Sequence, residues 1–285
     1  MINNLGFMQG RLSPLVNGKI QAFPWTCWQQ EFPIARDLGL GMMEWTLDQE
    51  DLYLNPLLTT PGQEEIRNLC HTHCLTIPSL TGDCFMQAPF WKASSQGKFD
   101  LEADFIAVAR ACAEVGIAMI VVPLVDNGRL ENDQQEKSLL AFMRDQANLF
   151  RQLGLRIIFE SDLAPASLKE FITQLPGDTF GINYDIGNSA ALGYNPQEEF
   201  ATYGNRIVNV HIKDRTLGGT TVPLGTGNAN FPNIFNLLSN VGYNGNLILQ
   251  TARSINNDHA GALRQYIDQV QAWMKVSYFA ALITG

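Results

Sequence analysis

Short apolar or β-branched runs alternate along the chain with longer amphipathic stretches, eight times over. The runs fall at 5–8, 42–45, 76–80, 119–122, 156–160, 180–185, 207–211 and 246–250. Their length and composition predict buried strands. The stretches between them, at 29–38, 61–71, 100–115, 134–153, 166–174, 197–203, 231–241 and 260–274, predict helices. In the third of these, Phe105, Ile106, Ala109 and Cys112 recur at helical spacing and give one apolar face. Gly39, Gly116, Gly154 and Gly242 each stop a helix just before the next strand. Eight strand–helix units in 285 residues average about 36 residues each, the size of a (β/α)₈ TIM barrel. A doubly wound sheet would carry a Gly-rich dinucleotide fingerprint after its first strand, and none follows residue 8. The expected fold is therefore α/β, one TIM-barrel domain over residues 1–285. Segments 48–60 and 82–99 read as long loops on the barrel mouth. The second carries Phe85, Met86, Phe90 and Trp91, suited to shaping a pocket.

Four of the runs end on a metal-capable side chain: Glu160, Asp185, His211 and Gln250. In a parallel barrel the C-terminal ends of the strands converge on one mouth. Oxygen and imidazole donors gathered there suit one divalent cation, with Mn²⁺, Mg²⁺ and Zn²⁺ all compatible. Gln250 can ligate through its amide oxygen, or serve as a hydrogen bonder behind the ligands.

Composition narrows the partners. The net charge is −9, and the 19 Lys and Arg are scattered, so no basic footprint for nucleic acid is present. Five cysteines without framework spacing read as reduced thiols of a cytoplasmic protein. No secretory signal and no apolar run of bilayer length is visible. The apolar segment 276–285 reads as a docked terminal helix or as a contact in a homo-oligomer.

With these residues in place, the chain resembles the xylose isomerase-like TIM barrels, specifically the sugar-phosphate isomerase/epimerase group, from residue 5 to about 253. The resemblance rests on Met8-Gln9-Gly10-Arg11-Leu12, Gly41-Met42-Met43-Glu44-Trp45 and Val210-His211-Ile212-Lys213-Asp214. It rests also on Pro223-Leu224-Gly225-Thr226-Gly227 and Gly242-Tyr243-Asn244-Gly245. It implies one cation held by Glu160, Asp185, His211 and Gln250, and a small sugar-like substrate, phosphorylated or not. The family's epimerases use two ligand glutamates as a proton-transferring pair. Glu160 matches the first, whereas Gln250 stands where the second is expected and cannot carry a proton. The implied chemistry is isomerisation or epimerisation beside a metal-polarised carbonyl. A dehydratase, which needs one base, and a sugar-binding barrel without turnover are the alternatives. An abasic-site endonuclease of this fold uses a His-rich three-zinc site, which four histidines and this charge oppose.

The remaining candidates each have a functional and a structural reading. Lys213 either polarises a carbonyl or forms an ion pair at a strand end. Glu44 either replaces the missing base or pairs with Arg11 on the rim. Arg11, with Gln9, His73, Asn188 and Asp214, completes the expected substrate-contacting set. Asn188 lies three residues after the aspartate, where several family members place a histidine. Gly225 and Gly227 form a turn that could also receive phosphate. The cluster Cys70-His71-Thr72-His73-Cys74 has zinc-ligand residue types, but its five consecutive positions fit no zinc spacing, and His73 reads there as a buried, hydrogen-bonded histidine.

Overall fold

The computed structural model describes residues 4–284, and within them the side chains of all but Ser95 and 276–284. Eight parallel strands close into a barrel: β1 (Leu5–Met8), β2 (Met42–Thr46), β3 (Thr76–Thr81), β4 (Met119–Leu124), β5 (Arg156–Ser161), β6 (Phe180–Asp185), β7 (Ile207–Ile212) and β8 (Asn246–Leu249). Around them lie α1 (Glu31–Asp37), α2 (Thr60–His73), α3 (Ser95–Val115), α4 (Asp133–Gln152), α5 (Pro165–Thr173), α6 (Pro196–Tyr203), α7 (Phe231–Asn240) and α8 (His259–Thr284). The strand–helix alternation predicted the TIM barrel correctly, with strand ends displaced by one or two residues. The apolar segment 276–285, expected as a docked helix or contact, lies outside the described side chains. Among the described residues no helix is long and apolar enough to cross a membrane.

The helix ends follow local chemistry. Side-chain oxygens of Thr59, Asn132, Asn195 and Asn230 accept the first free amides of α2, α4, α6 and α7. Gly116 and Gly154 precede β4 and β5 at φ 82° and 70°, which a residue with a Cβ rarely adopts.

Strand residues alternate between two environments. Phe7, Met43, Trp45, Leu80, Ile157, Phe159, Ile182, Val210, Ile212, Leu247 and Leu249 join the helices in one large apolar core. Their neighbours in sequence face the lumen. Met8, Met42 and Ile248 form a small separate apolar cluster there, and most of the rest is polar. Register shifts interrupt the ladders between Met42 and Glu44 and between Ile182 and Asn183. Such irregularities re-aim side chains next to functional sites, and both sit beside residues of the polar lumen.

The loop aromatics do not cover the mouth. Phe85, Phe90 and Trp91 are buried in the outer core, where Phe85 stacks on Phe105 of α3 at 4.3 Å. Segment 82–99 instead begins with a short helix, Asp83–Gln87. A second unpredicted helix, Ile186–Leu192, follows β6 directly. Gly187 permits it: a Cβ there would lie 2.6 Å from Lys213 Cγ.

Candidate metal centre in the barrel mouth

β6 and β7 pair so that Asp185 and His211 are direct neighbours. Glu160, next to last in β5, lies beside them. Ligand atoms of Glu160, Asp185 and His211 lie within 4.8 Å of one another, and among the described residues this is the one group of three carboxylate, imidazole or thiol side chains so arranged. All three are buried. His211 Nδ1 is 3.0 Å from a Glu160 oxygen and 3.9 Å from Asp185 Oδ2.

The donors are held from behind. Glu44 Oε1 lies 2.7 Å from His211 Nε2, so the ring's outer nitrogen is committed and Nδ1 faces the carboxylates. Asn183 donates to Glu160 Oε2 at 2.9 Å, and Asn209 donates to both Glu44 and Asn183. On the mouth side, Asn188 donates to Glu160 Oε1 at 2.7 Å and is itself fixed by Arg215 at 2.8 Å. The backbone N–H of Asn188 donates to Asp185 Oδ1 at 2.8 Å. Burial alone would push the Glu160 and Glu44 carboxyls up. The hydrogen bond and charge of His211 outweigh it and hold both below the usual range. For His211, burial disfavours the charge, but the flanking Glu44 and Glu160 raise it to about 10. Carboxylate oxygens thus flank both ring nitrogens, and this point of the lumen favours positive charge.

Lys213 gives a second sign of the same preference. Its ammonium donates to Asp185 Oδ2 at 2.9 Å and to Gln250 Oε1 at 3.2 Å. Gln250 Nε2 donates outward to Gln21 Oε1 at 2.9 Å, so both ends of the Gln250 amide are engaged, the oxygen by Lys213. Two carboxylates and one imidazole nitrogen therefore converge, with the Gln250 amide oxygen linked to Asp185 through the Lys213 ammonium, and the three converging groups fit a hard or borderline divalent cation.

Several expected site residues lie elsewhere or do other work. Glu44 is fully buried under His211, and Ser79, Thr81, Asn209 and His211 engage its oxygens, so it does not face the mouth as a base would. Arg11 does not pair with Glu44. Its guanidinium donates to Thr251 O, Ile20 O and Gln21 Oε1, and burial, then the charge of Arg253, lowers it to about 9. Gln9 locks β1 to β2, accepting the Thr46 amide at 3.1 Å. Asp214 is sealed under its own loop, accepting the amides of Gly225, Gly227 and Ala229. Those amides are thereby unavailable to phosphate. Gly227 is needed for closeness rather than for φ, since a Cβ there would lie 2.2 Å from Asp214 Oδ1. His73 ends α2, three residues before β3, at the opposite end of the barrel, where it is half-buried beside Arg36. Cys70 and Cys74 there are free thiols.

Asn183, Asn209, Gln21 and Asp83 were missed. The first two were legible, because each lies two residues before a ligand candidate and so shares its face of the sheet. Gln21 comes from a loop and Asp83 from the short helix after β3, both in strand-to-helix connections whose course no periodicity reveals.

The sequence profile of the xylose isomerase-like TIM barrels matches residues 32–275. The chain belongs to that family. It is 23% identical over 266 residues to the L-ribulose-5-phosphate 3-epimerase of Escherichia coli, covering 87% of this chain and 90% of that one. Its fold matches the structure of an L-ribulose 3-epimerase with a TM-score of 0.75 at 14% identity, covering 99% and 98% of the two chains. It also matches a family protein from Mycobacterium smegmatis in complex with magnesium, with a TM-score of 0.69 at 17% identity over 95% and 97%.

Proposed function

We propose that this family member is a divalent-cation-dependent epimerase of a ketose or ketose phosphate. The observation that carries the reading is the convergence of Glu160, Asp185 and His211, buried, at adjacent strand ends, with His211 locked from behind by Glu44. The similarity to a ketose-phosphate epimerase supports the choice of substrate class. Glu160, Asp185 and His211 would hold the cation, with Gln250 as fourth donor through Oε1. His211 would offer the Nδ1 lone pair, its Nε2–H remaining on Glu44; such a carboxylate–histidine pair fixes the ring and raises its basicity. A bound divalent ion would polarise the substrate carbonyl and adjacent hydroxyl.

The chain's own residues then account for the proton chemistry. Glu160, kept ionised by its surroundings, is the base that removes the proton from the carbon next to the carbonyl. Asn188 and Asn183 hold one oxygen each, so its orientation is set before substrate arrives. Lys213 adds positive charge at the rim, where the enediolate anion develops. The test is NMR in D₂O with Mn²⁺ and a panel of ketoses and ketose phosphates, beginning with L-ribulose 5-phosphate. Deuterium appearing at the carbon next to the carbonyl, together with the epimer, is the expected result. A protein that binds one of these sugars without any exchange would be a binding barrel instead.

A further inference from the structure

Inverting a carbon requires a proton taken from one face and another delivered to the opposite face. Glu160 supplies one carrier, and the amide of Gln250 cannot supply the other. Glu44 is sealed beneath His211, Asp214 beneath its loop, and Lys213 is tied to Asp185 and Gln250. One carboxyl at the mouth has no such commitment.

We propose that Asp83, the first residue of the short helix after β3, is the second acid–base group of this site. The inference rests on the epimerase reading above and names the missing half of its chemistry. Gln250 Nε2 donates to Gln21 Oε1 at 2.9 Å, and Gln21 Nε2 donates to Asp83 Oδ2 at 2.7 Å. Asp83 is thus two hydrogen bonds from the position that lacks its carboxylate. Arg11 donates to the same Gln21 oxygen at 3.2 Å, so the amide linking them is fixed from the connections after three strands. Among the described residues Gln21 is the one hydrogen-bonding partner of the Asp83 carboxyl, and 7% of the residue stays accessible. Its second oxygen is free for substrate.

The surroundings tune it for exchange. Asp48 from the loop after β2 and Glu160 on β5 face it with negative charge, and Arg11 after β1 faces it with positive charge. Burial, then the repulsion of Asp48 and Glu160, outweighs the Gln21 bond and Arg11 and pushes Asp83 up to about 7. A group that titrates near the working pH gives and takes protons most effectively. In one direction Glu160 accepts the C–H proton, and the bonding pair becomes the enediolate. Asp83, protonated, then gives its proton to the same carbon from the other face, and both carboxyls re-equilibrate with water. The reverse reaction exchanges their roles.

The deciding experiment follows deuterium wash-in and net epimerisation in D₂O for wild type, Asp83→Asn and Asp83→Glu, with Mn²⁺ affinity and circular dichroism measured alongside. The expected Asp83→Asn enzyme binds Mn²⁺ as wild type does. It exchanges the proton of one epimer through Glu160, and forms the other epimer about 10²–10⁴-fold more slowly. Asp83→Glu recovers part of the loss. Unchanged epimerisation in Asp83→Asn overturns the assignment, as does equal loss of both exchanges in a folded, metal-binding variant. A wild-type protein that washes deuterium into no ketose overturns the epimerase reading itself, and this inference with it.

Discussion

Phe159 and Glu160 are consecutive residues of β5, yet they belong to two differently built regions. Phe159 packs edge-on to Phe171 at 5.0 Å and parallel to Phe180 at 6.4 Å, within a core that runs around the barrel. Glu160 enters the lumen, where its partners are Asn183, Asn188 and His211. The outer layer gains stability from area, at about 1.5–3 kcal/mol for each fully buried large side chain, and any similar shape serves. The lumen instead places charges out of water, where each needs a specific partner and removal of one strands another. Fold resides in the first region and chemistry in the second.

Substitutions at this adjacent pair should separate the two properties most sharply. Glu160→Gln should lower turnover about 10³-fold with a near-native circular dichroism spectrum. Phe159→Ala should cost about 3–5 kcal/mol by chemical denaturation while the folded fraction keeps its rate. Similar effects of both changes on both readouts would dissolve the distinction. A smaller effect is expected one layer deeper. Glu44→Gln should weaken Mn²⁺ binding about 10–100-fold, by isothermal titration, with turnover restored at saturating metal. Continued inactivity at saturation would return Glu44 to the role of base.

The third effect is on stability against pH. Asp83 is an acid whose folded value, about 7, lies above the ordinary 3.8. The folded state therefore holds a proton that the unfolded chain releases, and this contribution is fully present below about 3.8 and lost as pH rises to about 7. Asp83→Asn removes the loss, so its melting temperature should exceed that of wild type at pH 8, with the gap closing toward pH 4. A constant gap would contradict the buried, proton-retaining carboxyl. The smallest effect is expected at His73→Ala, within about 0.5 kcal/mol and without change in turnover, because the residue sits at the far end of the barrel.

What the sequence revealed follows from periodicity. Alternation of period two and the ends of the runs were enough to place Glu160, Asp185 and His211 on one mouth, and the same rule points to Asn183 and Asn209. Depth along the lumen was not legible. Glu44 is in the middle of β2, below the rim, and only the three-dimensional pairing of β2 with β3 puts Ser79 and Thr81 around it. His73 was misplaced because residue type was weighed ahead of topology: a helix-to-strand connection lies at the end of the barrel away from the mouth. Gln21 and Asp83 depend on how two strand-to-helix connections meet over the barrel, which is a tertiary property.

The most direct test of the central claim is metal stoichiometry, by elemental analysis and Mn²⁺ titration of protein purified without chelator or affinity metal, beside Asp185→Asn and His211→Ala. About one equivalent in the wild type, lost in both variants while their folds persist, is the predicted result. A wild-type protein that takes up no Mn²⁺, Mg²⁺ or Zn²⁺, or variants that retain the full equivalent, would contradict a cation site built from Glu160, Asp185 and His211.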